Sequence, residues 1–204
     1  MRIFICILLF SGYLQAQTVT VKNLNYTTVF DIQKHYPVCV DWWLTKEKVG
    51  CKSERINMFA PDPKLYDETN LVRDYIHSGF DRGHMCNFED NACLSDEVRR
   101  ECFYYSNMAP QYHKLNIGSW KSLETLCRHW AGNLDSIHIW AGNIGEQKKI
   151  GIMSVPEKCW KVIYIIRQNK YQAWLFVNTK DDSGNKNPET TVENIEQLTG
   201  LKFK

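Results

Sequence analysis

Two β-rich runs, residues 160–166 and 171–177, are separated only by Arg167-Gln168-Asn169-Lys170. A connection this short joins antiparallel neighbours, because a parallel pair needs a crossover of a dozen residues or more. Runs of β-branched and aromatic residues at 38–44 and 136–140 add two further strands. Helical patterns lie between and after them, at 96–103 with Ser95 as a cap and at 115–130. A third follows Thr190-Thr191, with Glu193 placed for a capping box and Gly200 placed to end the helix. Strands and helices do not alternate regularly. The spacing therefore predicts an α+β fold, a mixed and mainly antiparallel sheet flanked by helices, rather than a doubly wound parallel sheet. The loops around Pro61-Asp62-Pro63 and at 181–188 read as surface turns that only connect elements.

With 204 residues, 44% of them hydrophobic, and no internal repeat or long linker, residues 17–204 are expected to form one domain. Residues 1–16 read as a signal peptide: Arg2 is the only charge, an apolar run follows from residue 3 to 10, and small or polar residues close the segment. That run is well short of the ~20 residues that span a bilayer, so no membrane attachment is expected after cleavage. The destination is then the periplasm or the medium. Of eight cysteines, removal of Cys6 leaves seven, which in an exported chain points to disulfides with one thiol left over. Cys39 with Cys51, and a pair within Cys86, Cys93 and Cys102, are the expected bridges. Lys+Arg 25 against Asp+Glu 23 gives a net charge of +2, so a polyanionic partner would need a local basic cleft.

The chemistry concentrates in Phe80-Asp81-Arg82-Gly83-His84, followed by Ser106-Asn107, Pro110-Gln111, Asn116, Trp120 and Glu124. Hydrolysis of a phosphodiester requires an activated water, neutralisation of charge in the transition state and help for the departing alkoxide. His84, with an ordinary pKa near ~6.5, can act as base, and Arg82 offers a fork that matches phosphate. Gly83 lets the backbone approach closely. On a regular helix Asn116 and Trp120 share a face, while Glu124 lies about 80° round and about 12 Å along the axis. Asn116 can then ligate a cation directly, and Glu124 can hold one of its waters. One amide ligand with many waters suits Mg²⁺ better than zinc. Chemistry aimed at phosphate reads no base edges, so DNA and RNA are both candidate substrates. Trp42, Trp43, Tyr104, Tyr105 and Tyr112 could stack on bases, but core packing accounts for them more simply.

Taken in order, these residues resemble the DNA/RNA non-specific endonucleases of the ββα-metal (His-Me finger) class. Ser53-Glu54-Arg55, Val155-Pro156, Trp160-Lys161-Val162-Ile163 and Thr199-Gly200-Leu201 extend the similarity over most of the chain. The resemblance implies a ββα-metal finger with His84 as general base and Asn116 as the sole protein ligand of one Mg²⁺, for which Mn²⁺ can substitute. It implies phosphate contacts from Arg55 and Arg82, a water-organising role for Glu124, and cleavage to 5′-phosphate ends. It also implies that Asn107 lies on the strand supporting the histidine and that Gln111 is a further substrate-binding polar residue. The chain departs from the family pattern after the histidine, at Met85-Cys86-Asn87-Phe88-Glu89-Asp90. A binding module without turnover on the same scaffold, and a disulfide-stabilised adhesion domain, are the competing expectations.

Overall fold

The computed structural model describes residues 18–55, 57–134 and 136–203. The segment read as a signal peptide lies outside them. In chain order the strands are β1 Thr18–Lys22, β2 Tyr26–Asp31, β3 Tyr36–Thr45, β4 Asp81–His84, β5 Met108–Gln111, β6 Ser136–Ile144, β7 Lys148–Ile150, β8 Met153–Val155, β9 Lys158–Ile165, β10 Lys170–Val177 and β11 Glu189–Thr190. Seven form one sheet in the order β1-β2-β3-β6-β9-β10-β11, every neighbouring pair antiparallel. The α+β reading holds. The hairpin closes one residue earlier than expected, at Ile165↔Lys170, because Asn169 takes the left-handed conformation (φ 48°) and its side chain accepts from the Tyr164 hydroxyl at 2.9 Å.

Both sheet faces are covered. On one, Leu123, Cys127 and Ala131 of the helix Lys121–Leu134 recur every four residues and pack on Val40, Trp42, Leu44, Ile137, Ile139 and Ile163. On the other, Val192 and Ile195 of the helix Val192–Thr199, with Phe203, cover Cys39, Trp160, Val162 and Ala173. That last helix is capped by Thr191, whose hydroxyl accepts from Asn194 N–H at 3.1 Å, so Glu193 is not the third helical residue that a capping box requires. Gly200 ends it at φ 74°, as expected.

Three expectations are corrected. The disulfide among the described residues joins Cys51 to Cys93, while Cys39, Cys86, Cys102, Cys127 and Cys159 are free and buried. The bridge unites two irregular segments that spacing could not bring together. The helix opened by Ser95 stops at Glu101, and the chain turns so that Phe103 enters a second core cluster with Phe88 and Tyr105. Asp62 is no surface residue: it is fully buried, takes the Ser106 hydroxyl at 2.5 Å and donates its own N–H to Thr69 Oγ1 at 2.9 Å. No helix among the described residues is long and apolar enough to cross a membrane.

Candidate active site

Strands β4 and β5 form a separate two-stranded ribbon, paired Asp81↔Gln111 through His84↔Met108. The chain passes from β5 directly into a helical stretch from His113 to Leu134, so the unit is β, β, α. Alternation along β4 sends Arg82 and His84 to one side and Asp81 and Gly83 to the other. On the first side lies a polar cleft of about 130 Å³ lined by Arg55, Arg82, His84, Asn87, Phe88, Glu89, Asn116, Lys121 and Glu124. Five of the residues singled out from sequence thus meet in one place.

His84 is 7% exposed and its ring is wedged near Phe59 (6.0 Å) and edge-on to Phe103 (5.4 Å). Burial and then the Arg55 charge push its pKa down to about 3, with a hydrogen bond to the Arg82 backbone acting in the opposite sense. The ring is accordingly neutral, the form able to accept a proton. Its Nε2 is buried without a hydrogen-bond partner. Such an atom in a polar cleft is unfilled capacity for a ligand or water.

Asn116 projects from the helical stretch opposite. Its Nδ2 donates to Asp81 Oδ2 at 2.8 Å, and the same oxygen lies 2.8 Å from His113 Nδ1. With the amide nitrogen committed to Asp81, the oxygen is the end left for a cation. Asp81 stood in the motif without a role; its position at the start of β4, across from the helix, supplies one. The regular-helix projection from Asn116 to Glu124 is not followed, because Gly118 sits at φ −96°, ψ −113° and kinks the stretch. Both side chains still reach the cleft.

Glu124 is 8% exposed, and its carboxyl is pushed up to about 7, chiefly by burial, with Lys161 pulling it down. Lys161, itself 1% exposed, holds its ammonium 3.6 Å from Glu124 Oε1 and 4.3 Å from the centre of the Trp120 ring. Beside this pair, Arg128 bonds to Asp90 Oδ1 (3.1 Å) and Asn87 Oδ1 (3.2 Å). Asn87 lines the cleft with a buried Nδ2 that has no partner. Lys161 and Asn87 lie within the motif segments, which by themselves give neither a role.

The two arginines differ. Arg82 stacks on Phe59 (4.9 Å) and Tyr75 (5.1 Å), and its Nε is buried without a hydrogen-bond partner. Arg55 lies on a segment without regular structure, over Phe103 and Phe88, with Nη1 3.8 Å from Glu89 Oε1. Two expected site residues stay out of the cleft. Gln111 is fully buried, packed so closely on Gly83 that a Cβ there would stand 2.2 Å from its Oε1. It cannot touch substrate, and it explains the glycine. Asn107 lies in the turn Tyr105–Asn107 just before β5, not on the strand; its Nδ2 donates to the Cys86 and Cys102 carbonyls and its Oδ1 accepts from Cys86 N–H. Trp42 and Tyr105 belong to the core, as expected, and Trp43 stacks on His138.

Among the described residues no group of three or more His, Cys, Asp or Glu side chains could hold a metal. The donor set in the cleft, one amide oxygen with a nearby carboxylate and orphaned polar atoms, fits a hydrated Mg²⁺ and not a zinc ion.

A family model described as DNA/RNA non-specific endonuclease matches residues 10–204. The mitochondrial nuclease EXOG of Xenopus laevis is 29% identical over 217 residues, covering 94% of this chain and 60% of the relative. The protein named Nuclease from Serratia marcescens is 34% identical over 203 residues, covering 91% of this chain and 75% of its own length. A chain in the crystal structure of the EndoG/EndoGI complex superposes with a TM-score of 0.74 at 24% identity, over 90% of this chain and 84% of that one, a likeness of fold. The chain spans no more than 60% of the length of the Xenopus laevis, Mus musculus and Homo sapiens EXOG proteins. The fold is shared with that EndoG-complex chain, and the cleft lies where the two-stranded ribbon meets its helix. The chain belongs to the DNA/RNA non-specific endonuclease family, whose members hydrolyse phosphodiester bonds.

Proposed function

We propose that residues 17–204 act as one exported, Mg²⁺-dependent endonuclease domain that hydrolyses DNA and RNA without regard to sugar or sequence, leaving 5′-phosphate ends. The observation carrying this reading is the shared cleft of His84, with its partnerless Nε2, and Asn116, whose amide Asp81 orients. Export is supported by the segment at 1–16 and by a disulfide, which persists in oxidising compartments.

Each residue has a task set by its surroundings. The neutral imidazole of His84 takes a proton from the attacking water at Nε2. Arg82, close to the Phe59 and Tyr75 rings, and Arg55 donate to the phosphate oxygens, and Arg55 exchanges Glu89 for substrate as it does so. Asn116 would hold the cation through its amide oxygen, and Glu124 accepts hydrogen bonds from water in the cleft. When bound, Mg²⁺, or Mn²⁺ in its place, supplies positive charge at the phosphate and the departing 3′-oxygen.

Plasmid DNA and ribosomal RNA incubated with the mature chain test the reading. Both polymers should be degraded with Mg²⁺ and spared with EDTA, and His84→Ala should be slower by a factor of about 10² to 10⁴. Retarded migration of DNA without cleavage in Mg²⁺ would instead identify a binding module, and full activity in His84→Ala would remove the base assignment.

A further inference from the structure

The loop after β10 grips the finger helix on both sides of Asn116. Before it, Asn178, buried and donating through Nδ2 to the Pro110 and Pro156 carbonyls, uses its Oδ1 to accept from Tyr112 N–H at 2.9 Å. After it, the Asp182 carboxylate accepts from Ser119 N–H at 3.1 Å and from the Ser119 hydroxyl at 2.9 Å. These contacts fall four residues before Asn116 and three after it.

The second grip sits on the kink. Gly118 leaves helical geometry there, and a Cβ at Gly118 would stand 2.7 Å from Asp182 Oδ2, so the carboxylate occupies the space a side chain would need. Asp182 itself adopts φ 55°, a left-handed conformation that Asp tolerates better than most residues other than glycine, and its neighbours hold it there. The surroundings are visible. Buried Asn185 donates to Asp182 Oδ1 at 2.6 Å while pairing through both ends of its amide with the Val177 backbone, which anchors the loop to β10.

We infer that Asp182, braced by Asn185, is a positioning residue for the cation site: by fixing the kink at Gly118–Ser119 it sets where the Asn116 amide oxygen stands relative to His84. The sheet and the finger are thereby coupled through a loop rather than through the core alone. Asp182 is not among the residues lining the cleft.

The inference rests on Asn116 holding the cation, and the test separates the two. Mn²⁺ binding to the intact mature chain is titrated by electron paramagnetic resonance for the parent, Asp182→Ala, Asp182→Asn, Ser119→Ala and Asn116→Ala. Asp182→Ala should weaken Mn²⁺ binding about ten-fold or more, as loss of a group that orients a ligand does, with Ser119→Ala weakening it less. In Asp182→Asn, which keeps one acceptor, part of the affinity should return. The Mg²⁺ concentration for half-maximal activity should rise in step, while DNA binding in EDTA stays unchanged. Mn²⁺ affinity within about two-fold of the parent in a folded Asp182→Ala overturns the positioning role. Should that variant not fold, Ser119→Ala and Asp182→Asn decide, and parent-like Mn²⁺ affinity in both overturns it equally. Parent-like affinity in Asn116→Ala removes the site reading first, and the inference with it.

Discussion

The indole Nε1 of Trp120 donates to the backbone carbonyl of His84 at 3.2 Å, so the helix that carries Asn116 is fastened to the strand that carries the proposed base. Trp120 is 1% exposed and meets Phe176 of the main sheet edge-on at 5.4 Å. One side chain therefore spans sheet, helix and finger.

Trp120→Phe keeps an aromatic ring and removes the donor. The buried His84 carbonyl loses its partner, which should cost about 1–3 kcal/mol in urea denaturation. Turnover should fall by more than stability explains, because the proposed base and the proposed amide ligand lose their shared reference. Wild-type turnover in the variant would argue against that coupling.

His84 and Glu124 make stability depend on pH with opposite sign. The folded chain keeps His84 neutral down to about pH 3, whereas an unfolded histidine takes its proton near ~6.5, so stability attributable to His84 is lost as pH falls through that window. Glu124 titrates at about 7 when folded and near ~4.3 when unfolded, so its contribution is lost as pH rises through that range. In the change of stability with pH, His84→Asn should lose the decline toward acid and Glu124→Gln the decline toward neutrality, each by no more than a few kcal/mol. Denaturation curves at stepped pH read this directly; variant and parent curves running parallel would contradict it.

Arg55→Ala removes a positive neighbour that helps hold the His84 pKa down. The free enzyme's His84 should therefore titrate at higher pH in the variant, as followed by histidine NMR, and affinity for nucleic acid should become less salt-dependent by about one phosphate contact. An unmoved His84 titration would mean that burial alone sets it.

Lys161→Met should raise the Glu124 titration further and be destabilising most of all toward alkaline pH, because Glu124 is left as a buried acid without its nearest cation. Adding Glu124→Gln should recover most of that loss, a non-additivity that unrelated positions do not give. Additive losses in the double variant would show that the pair does not act as a unit.

Cys51 and Cys93 are 42 residues apart, and closing a loop of that length stabilises by about 4 kcal/mol in the chain-entropy account. Reduction, or Cys51→Ser, should lower the melting temperature accordingly. A melting temperature indifferent to reductant would contradict the bridge.

Much of the site was legible because its residues are short-range neighbours with distinct chemistry: Arg82 and His84 stand two apart on one side of a strand, and Asn116 and Glu124 follow on one helical stretch. What escaped depends on contacts distant in sequence. Gly118 reads as an ordinary helix position until Asp182, on a loop that looked merely connective, is seen to fill the space beside it. Gln111 looks like a substrate ligand by motif, and only the register with Gly83 turns it inward. The disulfide escaped for the same reason, since spacing says nothing about which irregular segments come to lie side by side.

Under the proposed role of Asn116, Asp81 also accounts for an uncharged amide at position 116 where a carboxylate would attract magnesium more strongly. An amide has two unlike ends, and here one is a donor spent on Asp81 at 2.8 Å. Asn116→Asp, the obvious route to a tighter grip in the proposed site, would set two anions against each other at positions 81 and 116. Any redesign of this centre for another metal has to begin one residue further back, at the acid behind the ligand.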